Sequence, residues 1–316
     1  MARSASNREN QNVTRIPKFF LLGLSDDPDL QPVLFGLFLS MYLVTMLGNL
    51  LIILTISSDS HLHTPMYFFL SNLSLSDIGF TSTIVPKLMV DIQTHSRAIS
   101  NADCMTQMFF YVIFGCLDDM LLTIMAYDRY VAICHPLHYT IIMNPQLCCF
   151  FSLIATFISI LASLMHYLIA LQCTILKDME ISNFFCDPSQ ILNLACAHTL
   201  TYNVGISLIF LLLGFLPIMG ILFSYYKIVS SILNLPSLGG KYKAFSTCAS
   251  HLSIVCLFYG TSFGVYVSSA LSHSPRFGTV YTVLYTVVTP MLNPFIYSLR
   301  NKDIKNSLHR LQRSTL

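Results

Sequence analysis

Five stretches of this chain contain no Asp, Glu, Lys or Arg: 30–58, 130–176, 188–226, 244–275 and 277–299. Each is long enough to carry a helix across a hydrocarbon core about 30 Å thick, which takes ~20 apolar residues. A chain patterned this way is a polytopic membrane protein, and a soluble helical bundle is excluded before any motif is considered. Composition agrees: 10% of residues are charged and 54% hydrophobic, with a mean hydropathy of +0.64, whereas soluble domains carry about 25% charged residues. Tryptophan is absent, so Tyr and Phe must supply any interfacial aromatics. The net charge of +2 gives no reason to expect a nucleic-acid partner. The fold class expected is an all-α membrane protein, a seven-transmembrane helix bundle with a short amphipathic C-terminal helix.

The expected organisation is an extracellular tail over 1–32, a bundle over 33–299 and a cytoplasmic amphipathic tail over 300–316. The spans fall at about 33–57, 65–90, 104–131, 146–171, 201–226, 244–269 and 278–299. No cleavable signal peptide is apparent in the polar residues 1–29, so the first span is expected to act as its own insertion signal. Asn12-Val13-Thr14 is a glycosylation sequon, and use of Asn12 requires the N-terminus to be outside. That orientation places Arg129, Lys227, Lys241, Lys243, Arg300, Lys302, Lys305, Arg310 and Arg313 inside, a modest positive-inside bias. Ile304, Leu308 and Leu311 recur at helical spacing among the last five of those cations, which suits a helix lying on anionic membrane lipid.

Chemistry concentrates in a few places. Met125–Tyr139 reads MAYDRYVAICHPLHY. Asp128 and Arg129 sit one membrane thickness from Cys104, at a boundary where an ion pair can be held or released cheaply. Pro136 then stops the helix. Asp77 lies about 18 Å into the membrane from Pro65 at ~1.5 Å per residue. An intramembrane acid is a functional candidate by default; the alternative is a protonated packing residue. Asp118 and Asp119 are adjacent and so ~100° apart on a helix, which lets one of them share a direction with Asp77. Asp118 is three turns from Arg129 and is the one paired with Asp77 here, with a sodium ion between their hard oxygens as one reading. Asp119 is left for the ligand cavity or a neighbouring helix. Cys104 and Cys186 would share the oxidising side, which makes them the obvious disulfide. Pro217 and the Asn293-Pro294 step mark bends in the fifth and seventh spans.

Five blocks carry a family resemblance: PMYFFLSNLSLSD at 65–77, MAYDRYVAICHPLHY at 125–139, Ser224-Tyr225, KAFSTCASHL at 243–252 and PMLNPFIYSLRNKDIK at 290–305. In this order they resemble the odorant receptors, a branch of the rhodopsin-like G-protein-coupled receptors. The long second extracellular loop is similar to that of the tetrapod-type group. The resemblance implies a receptor and not an enzyme, in the plasma membrane, with a small odorant and a stimulatory olfactory-type heterotrimeric G protein as partners, raising cAMP. It implies no cofactor beyond that candidate sodium ion at Asp77 and Asp118. Asp128, Arg129 and Tyr130 match the family's lock and coupling site, and Tyr225, Asn293, Pro294 and Tyr297 its switch positions. Cys104–Cys186 matches its core disulfide. The family's earlier loop cysteine is replaced by Leu176, so a second bond between Cys173 and Cys196 is left open. Tyr259 stands where many rhodopsin-like receptors carry Trp.

Helical spacing and the resemblance together suggest a ligand cavity. Its expected lining is Met108, Tyr111, Val112, Gly115 and Cys116 on the third span, Ile206 and Phe210 on the fifth, Tyr259, Ser262, Phe263 and Tyr266 on the sixth, and Thr286 on the seventh. These are mainly apolar with a few hydroxyls, suited to a small volatile molecule. A transporter or channel would instead use Asp77, Asp118 and Asp119 as an ion path, but no internal repeat is evident.

Overall fold

The computed structural model of the protein describes residues 18–25, 27–172, 179–196, 200–234, 237–271 and 275–314. Strand β1 (Lys18–Leu21) precedes α1 (Gln31–Ser58), and a single 3-10 turn leads into α2 (Pro65–Thr94). Strand β2 (Ala98–Ser100) leads directly into α3 (Asn101–Cys134), followed by the one-turn α4 (Tyr139–Ile142) and then α5 (Pro145–Gln172). The next loop contains β3 (Met179–Ile181) and α6 (Pro188–Cys196). The fifth pass is α7 (Leu200–Ile209) and α8 (Leu216–Leu233) joined through a π-helical segment, and the sixth is α9 (Leu238–Leu271). The seventh is α10 (Pro275–Val283) and α11 (Thr289–Arg300), again joined through a π segment, and α12 (Lys302–Ser314) follows.

Among the described residues, five helical stretches are long and apolar enough to cross a membrane by themselves. They lie in α1, α3, α5, the fifth pass and α9. The other two passes fall short for visible reasons. Asp77, Lys87 and Asp91 interrupt the apolar character of α2, and a π segment over Leu284–Val288 divides the seventh pass. Charge marks where a helix leaves lipid, not where it ends. So α9 begins at Leu238 and runs through Lys241 and Lys243, earlier than the Ala244 expected from hydropathy. Likewise α3 starts at Asn101, where the Ser100 hydroxyl accepts the Asp103 N–H at 3.1 Å.

Two π segments, Phe210–Phe215 and Leu284–Val288, each lie just before a proline, Pro217 and Pro290. A proline cannot donate to the residue four before it, and a widened turn is one way to accommodate the gap. At the second, the Thr289 hydroxyl donates to the Leu284 carbonyl at 2.9 Å. Pro294 leaves the Pro290 carbonyl without its helical donor, and Asn49 of α1 supplies one from Nδ2 at 3.2 Å. Gly48 permits this approach, since a Cβ there would lie 3.2 Å from the Pro294 ring.

At one end of the bundle the three strands form a sheet in the order β2-β1-β3, with β1 antiparallel to β2 and parallel to β3. Phe19 faces Ile99 and Met179 across the sheet. Phe19 and Leu21 are buried against Ile99, Ile181, Ile191, Leu192 and the cystine Cys104–Cys186, whose Cα atoms are 5.5 Å apart. Tail, both neighbouring loops and the top of α3 thus share one apolar cluster. At the opposite end α12 is clasped to the α1–α2 turn. Ser307 Oγ donates to Asp59 Oδ2 at 2.6 Å and Arg310 Nη2 lies 3.1 Å from the same oxygen. The Tyr67 hydroxyl accepts from Asn301 Nδ2 at 3.0 Å and donates to Asp303 Oδ2 at 3.2 Å. The Ser307 bond and the His61 N–H hold the Asp59 carboxyl below the usual carboxylate range.

Replacing Asn49 by Ala strands the buried Pro290 carbonyl, so Asn49→Ala should cost about 1–3 kcal/mol, read as a lower melting temperature of the detergent-solubilised protein. An unchanged melt would mean that this carbonyl is satisfied in another way.

Candidate functional site

At the α12 end, α3 finishes in a compact polar cluster. Asp128 is fully buried, and Arg129 folds back onto it, with Nε 3.1 Å from Oδ2 and Nη2 closer still. Asp128 Oδ1 accepts the Tyr139 hydroxyl of α4 at 2.7 Å, so one carboxylate fastens both Arg129 and the α3–α5 connection. Burial and that carboxylate push the Tyr139 phenol above its usual range. Tyr130 bonds His135 Nε2 at 3.1 Å at the helix stop before Pro136.

About two turns further in along α3, that helix meets α8 and α9 through a histidine. His251 Nε2 lies 3.1 Å from the Leu122 carbonyl, and its Nδ1 is 2.7 Å from the Tyr225 hydroxyl. A carbonyl only accepts, so Nε2 carries the proton and Nδ1 accepts from Tyr225. The Tyr297 hydroxyl of α11 points to Met125 Sδ at 3.9 Å. Together these contacts close the bundle between Arg129 and its middle.

The middle is polar. Asn293 of α11 donates from Nδ2 to both oxygens of Asp77, at 3.0 and 2.9 Å. Beside them a small cavity is lined by Asp77, Asp118, Phe80, Phe258, Tyr285 and Asn293. It leaves about 10 Å³ for the centre of a water-sized sphere, room for one water or one small ion. Asp118 Oδ1 and Asn293 Oδ1 are buried and receive no hydrogen bond among the described residues. Asp119, next to Asp118 in sequence and about 100° round the helix, turns towards α9, where Tyr259 donates to its Oδ1.

Comparison with known proteins decides what this arrangement belongs to. The sequence model described as olfactory receptor matches residues 38–314. The chain belongs to the olfactory receptor family. Olfactory receptor 7E178 of Mus musculus is 67% identical over 98% of this chain and 94% of its own length. Olfactory receptor 7E24 of Homo sapiens is 67% identical over 98% and 92%, and olfactory receptor 7D4 of Homo sapiens 60% identical over 96% and 97%. Among solved structures, squid rhodopsin superposes with a TM-score of 0.73 over 92% of this chain and 87% of that one, at 19% identity, which bears on the fold alone. This olfactory receptor is therefore a multi-pass, rhodopsin-like G-protein-coupled receptor and not an enzyme, with a small molecule and a G protein as its partners.

The receptor's ligand candidates do not all meet. Met108 is buried in the cluster under the sheet. Tyr111 instead lies between Phe185 and Phe80, with ring centroids 4.9 and 5.2 Å away. Val112 is buried, Gly115 lies over Phe80 and the Tyr285 hydroxyl, and Cys116 is half-buried. Ser262 bonds the Tyr259 carbonyl at 3.2 Å, and the Thr286 hydroxyl is spent on Thr282 of its own helix at 2.8 Å. Phe263 is a correction: it is 69% exposed and faces outward from the bundle, on the side of α9 turned away from the buried residues Thr261, Phe258 and Ile254. Asn12 and Cys173, and the side chains of Cys196, Ile206, Phe210 and Tyr266, lie outside the described residues.

Residues missed from sequence are Phe80, Phe185, Phe258 and Tyr285, an aromatic set around the candidates. Phe80 packs on Tyr285 at 5.6 Å and Tyr285 on Phe258 at 5.5 Å. Tyr285 stands next to Thr286 in the π segment: Thr286 is buried, and the Tyr285 ring beside it joins Phe80 and Phe258. Tyr139 and His251 were visible inside quoted motifs, but only folding shows their partners.

Asn293→Ala removes both donors to Asp77 and should lower receptor stability by about 1–3 kcal/mol. Thermal melting in detergent checks it, and a melt equal to the parent's would mean that Asp77 draws little from that contact.

Proposed function

We propose that this receptor binds a small, volatile, mainly apolar molecule inside the bundle, beneath the sheet, and activates a stimulatory olfactory-type heterotrimeric G protein to raise cAMP. The sheet end faces outside with Asn12 glycosylated, and α12 lies on the inner leaflet of the plasma membrane against anionic lipid. The observation that carries the reading is the closed Asp128–Arg129–Tyr139 cluster, placed at the end opposite the Cys104–Cys186 cystine. A lock at one end and a tethered loop at the other suit a device that receives at one face and signals at the other.

The ligand is met by Met108, Tyr111, Val112, Gly115, Cys116, Ile206, Phe210, Tyr259, Ser262, Tyr266 and Thr286. Binding favours a state in which α9 leaves α3, a population shift that needs tighter binding to that state. Tyr225, Asn293, Pro294 and Tyr297 rearrange, and Arg129 and Tyr130 then meet the G protein. Asp77 and Asp118 fit a sodium ion: hard oxygens, two of the site's buried acceptors without donors and room for one small ion support this. Such an ion would add positive charge between the acids in the resting state. An ion path through the bundle has less support, since Asp119 is engaged by Tyr259 away from the Asp77 and Asp118 site.

Cells expressing the receptor with a stimulatory G protein should show dose-dependent cAMP to a member of an odorant panel. Arg129→Ala should reduce that response at least tenfold at equal surface labelling, whereas a full response in this variant would contradict the coupling role given to Arg129.

A further inference from the structure

Asp119 is an acid that the coupling scheme above leaves unused. It is 5% exposed, and its Oδ1 accepts the Tyr259 hydroxyl. Its Oδ2 is buried and receives no hydrogen bond among the described residues. Thr123 bonds only the Asp119 backbone carbonyl, at 3.0 Å, and so does nothing for the side chain. A carboxylate offers about four acceptor positions and a phenol one proton, so the pair is short of donors among the described residues. Groups left this way in a native fold are costly and ask for a partner.

Position says where that partner comes from. Met108, Val112, Gly115 and Asp119 follow one another at steps of four, three and four along α3, one face of a helix. Asp119 is therefore the next residue down the stripe from the ligand candidates, one turn below Cys116. Its partner Tyr259 belongs to α9, the helix that must move.

We propose that Asp119 is the floor of the ligand site and reads a hydrogen-bond donor, so that the activating molecules are alcohols or amines and not ethers or hydrocarbons of the same shape. The inference rests on the receptor reading given above. The donor bonds the free Oδ2, draws the carboxylate away from Tyr259 and releases α9 from α3. Both effects come from one group: Asp119 selects the ligand, and its bond to Tyr259 holds the resting state until then. A site built around a buried acceptor rejects analogues that lack the donor far more strongly than an apolar pocket rejects a missing methylene.

The test pairs volatile alcohols and primary amines with their methyl ethers and parent hydrocarbons, in cells with a stimulatory G protein and surface labelling of every variant. Alcohols or amines should activate on the order of tenfold to a hundredfold more potently than their counterparts, as expected when a buried acceptor is otherwise left unpaired. Asp119→Asn retains an oxygen for Tyr259 but turns the free acceptor into a donor, so the alcohol-to-ether potency ratio should collapse. Asp119→Ala gives the same reading if that variant fails to reach the surface. Tyr259→Phe removes the resting bond and should raise basal cAMP. Ethers as potent as alcohols on the parent receptor, an unchanged ratio in Asp119→Asn, or parental basal cAMP in Tyr259→Phe would each overturn the proposal and leave the receptor reading standing. Mock-level cAMP in every chain with every compound would overturn the stimulatory coupling, and the proposal with it.

Discussion

A proline takes one donor away from its helix, and in lipid no water replaces it. Much of this structure is arranged around that deficit. The Pro290 carbonyl, deprived by Pro294, draws Asn49 across from α1, and the contact is close because residue 48 is glycine. The same Asn293-Pro294 step places an amide against Asp77. Repairs to the seventh pass thus link α1, α2 and α11 into one polar seam through an apolar bundle.

The two ends of the bundle are built on different physics. Under the sheet, Phe19, Leu21, Ile99 and Ile181 bury a disulfide in an apolar cluster that ties the tail to both loops. Such an end resists opening. At the other, Asp128, Arg129, Tyr139, Tyr225 and His251 interact through a few side-chain hydrogen bonds and one ion pair among groups on α3, α4, α8 and α9. Each is replaceable by a bond to water or to another protein, so motion there costs less than motion under the sheet.

How much of this was legible beforehand follows from the range of the interactions. Every charge-free window holds helix, because a membrane-spanning requirement is local and leaves its mark in composition. Asp77, Asp128, Arg129 and Asn293 were legible because a charge or an Asn-Pro step stands out in an otherwise apolar pass. The sheet was not: β1 is four residues long, and its partners lie at 98–100 and 179–181, so no local pattern encodes it. Phe263 and Tyr285 escaped for a related reason. Both depend on how a helix is rotated within the bundle, which is set by its neighbours and not by its own spacing. The partners of Tyr139 and Asp119 lie on other helices, and pairing across helices is a property of the fold.

The structure joins α9 to α3 at two heights, through Tyr259 and Asp119 and through His251 and the Leu122 carbonyl, and it closes Arg129 onto Asp128 below them. Release of those contacts must widen the α12 end. The most direct measurement is a spin-label distance between Leu137→Cys and Tyr242→Cys, sites 89% and 79% exposed at that end, in nanodiscs with and without a nucleotide-free stimulatory heterotrimer. A new population at longer distance in the presence of the G protein is expected. A distribution that stays unchanged while the heterotrimer is bound would contradict the central claim that this end opens to couple.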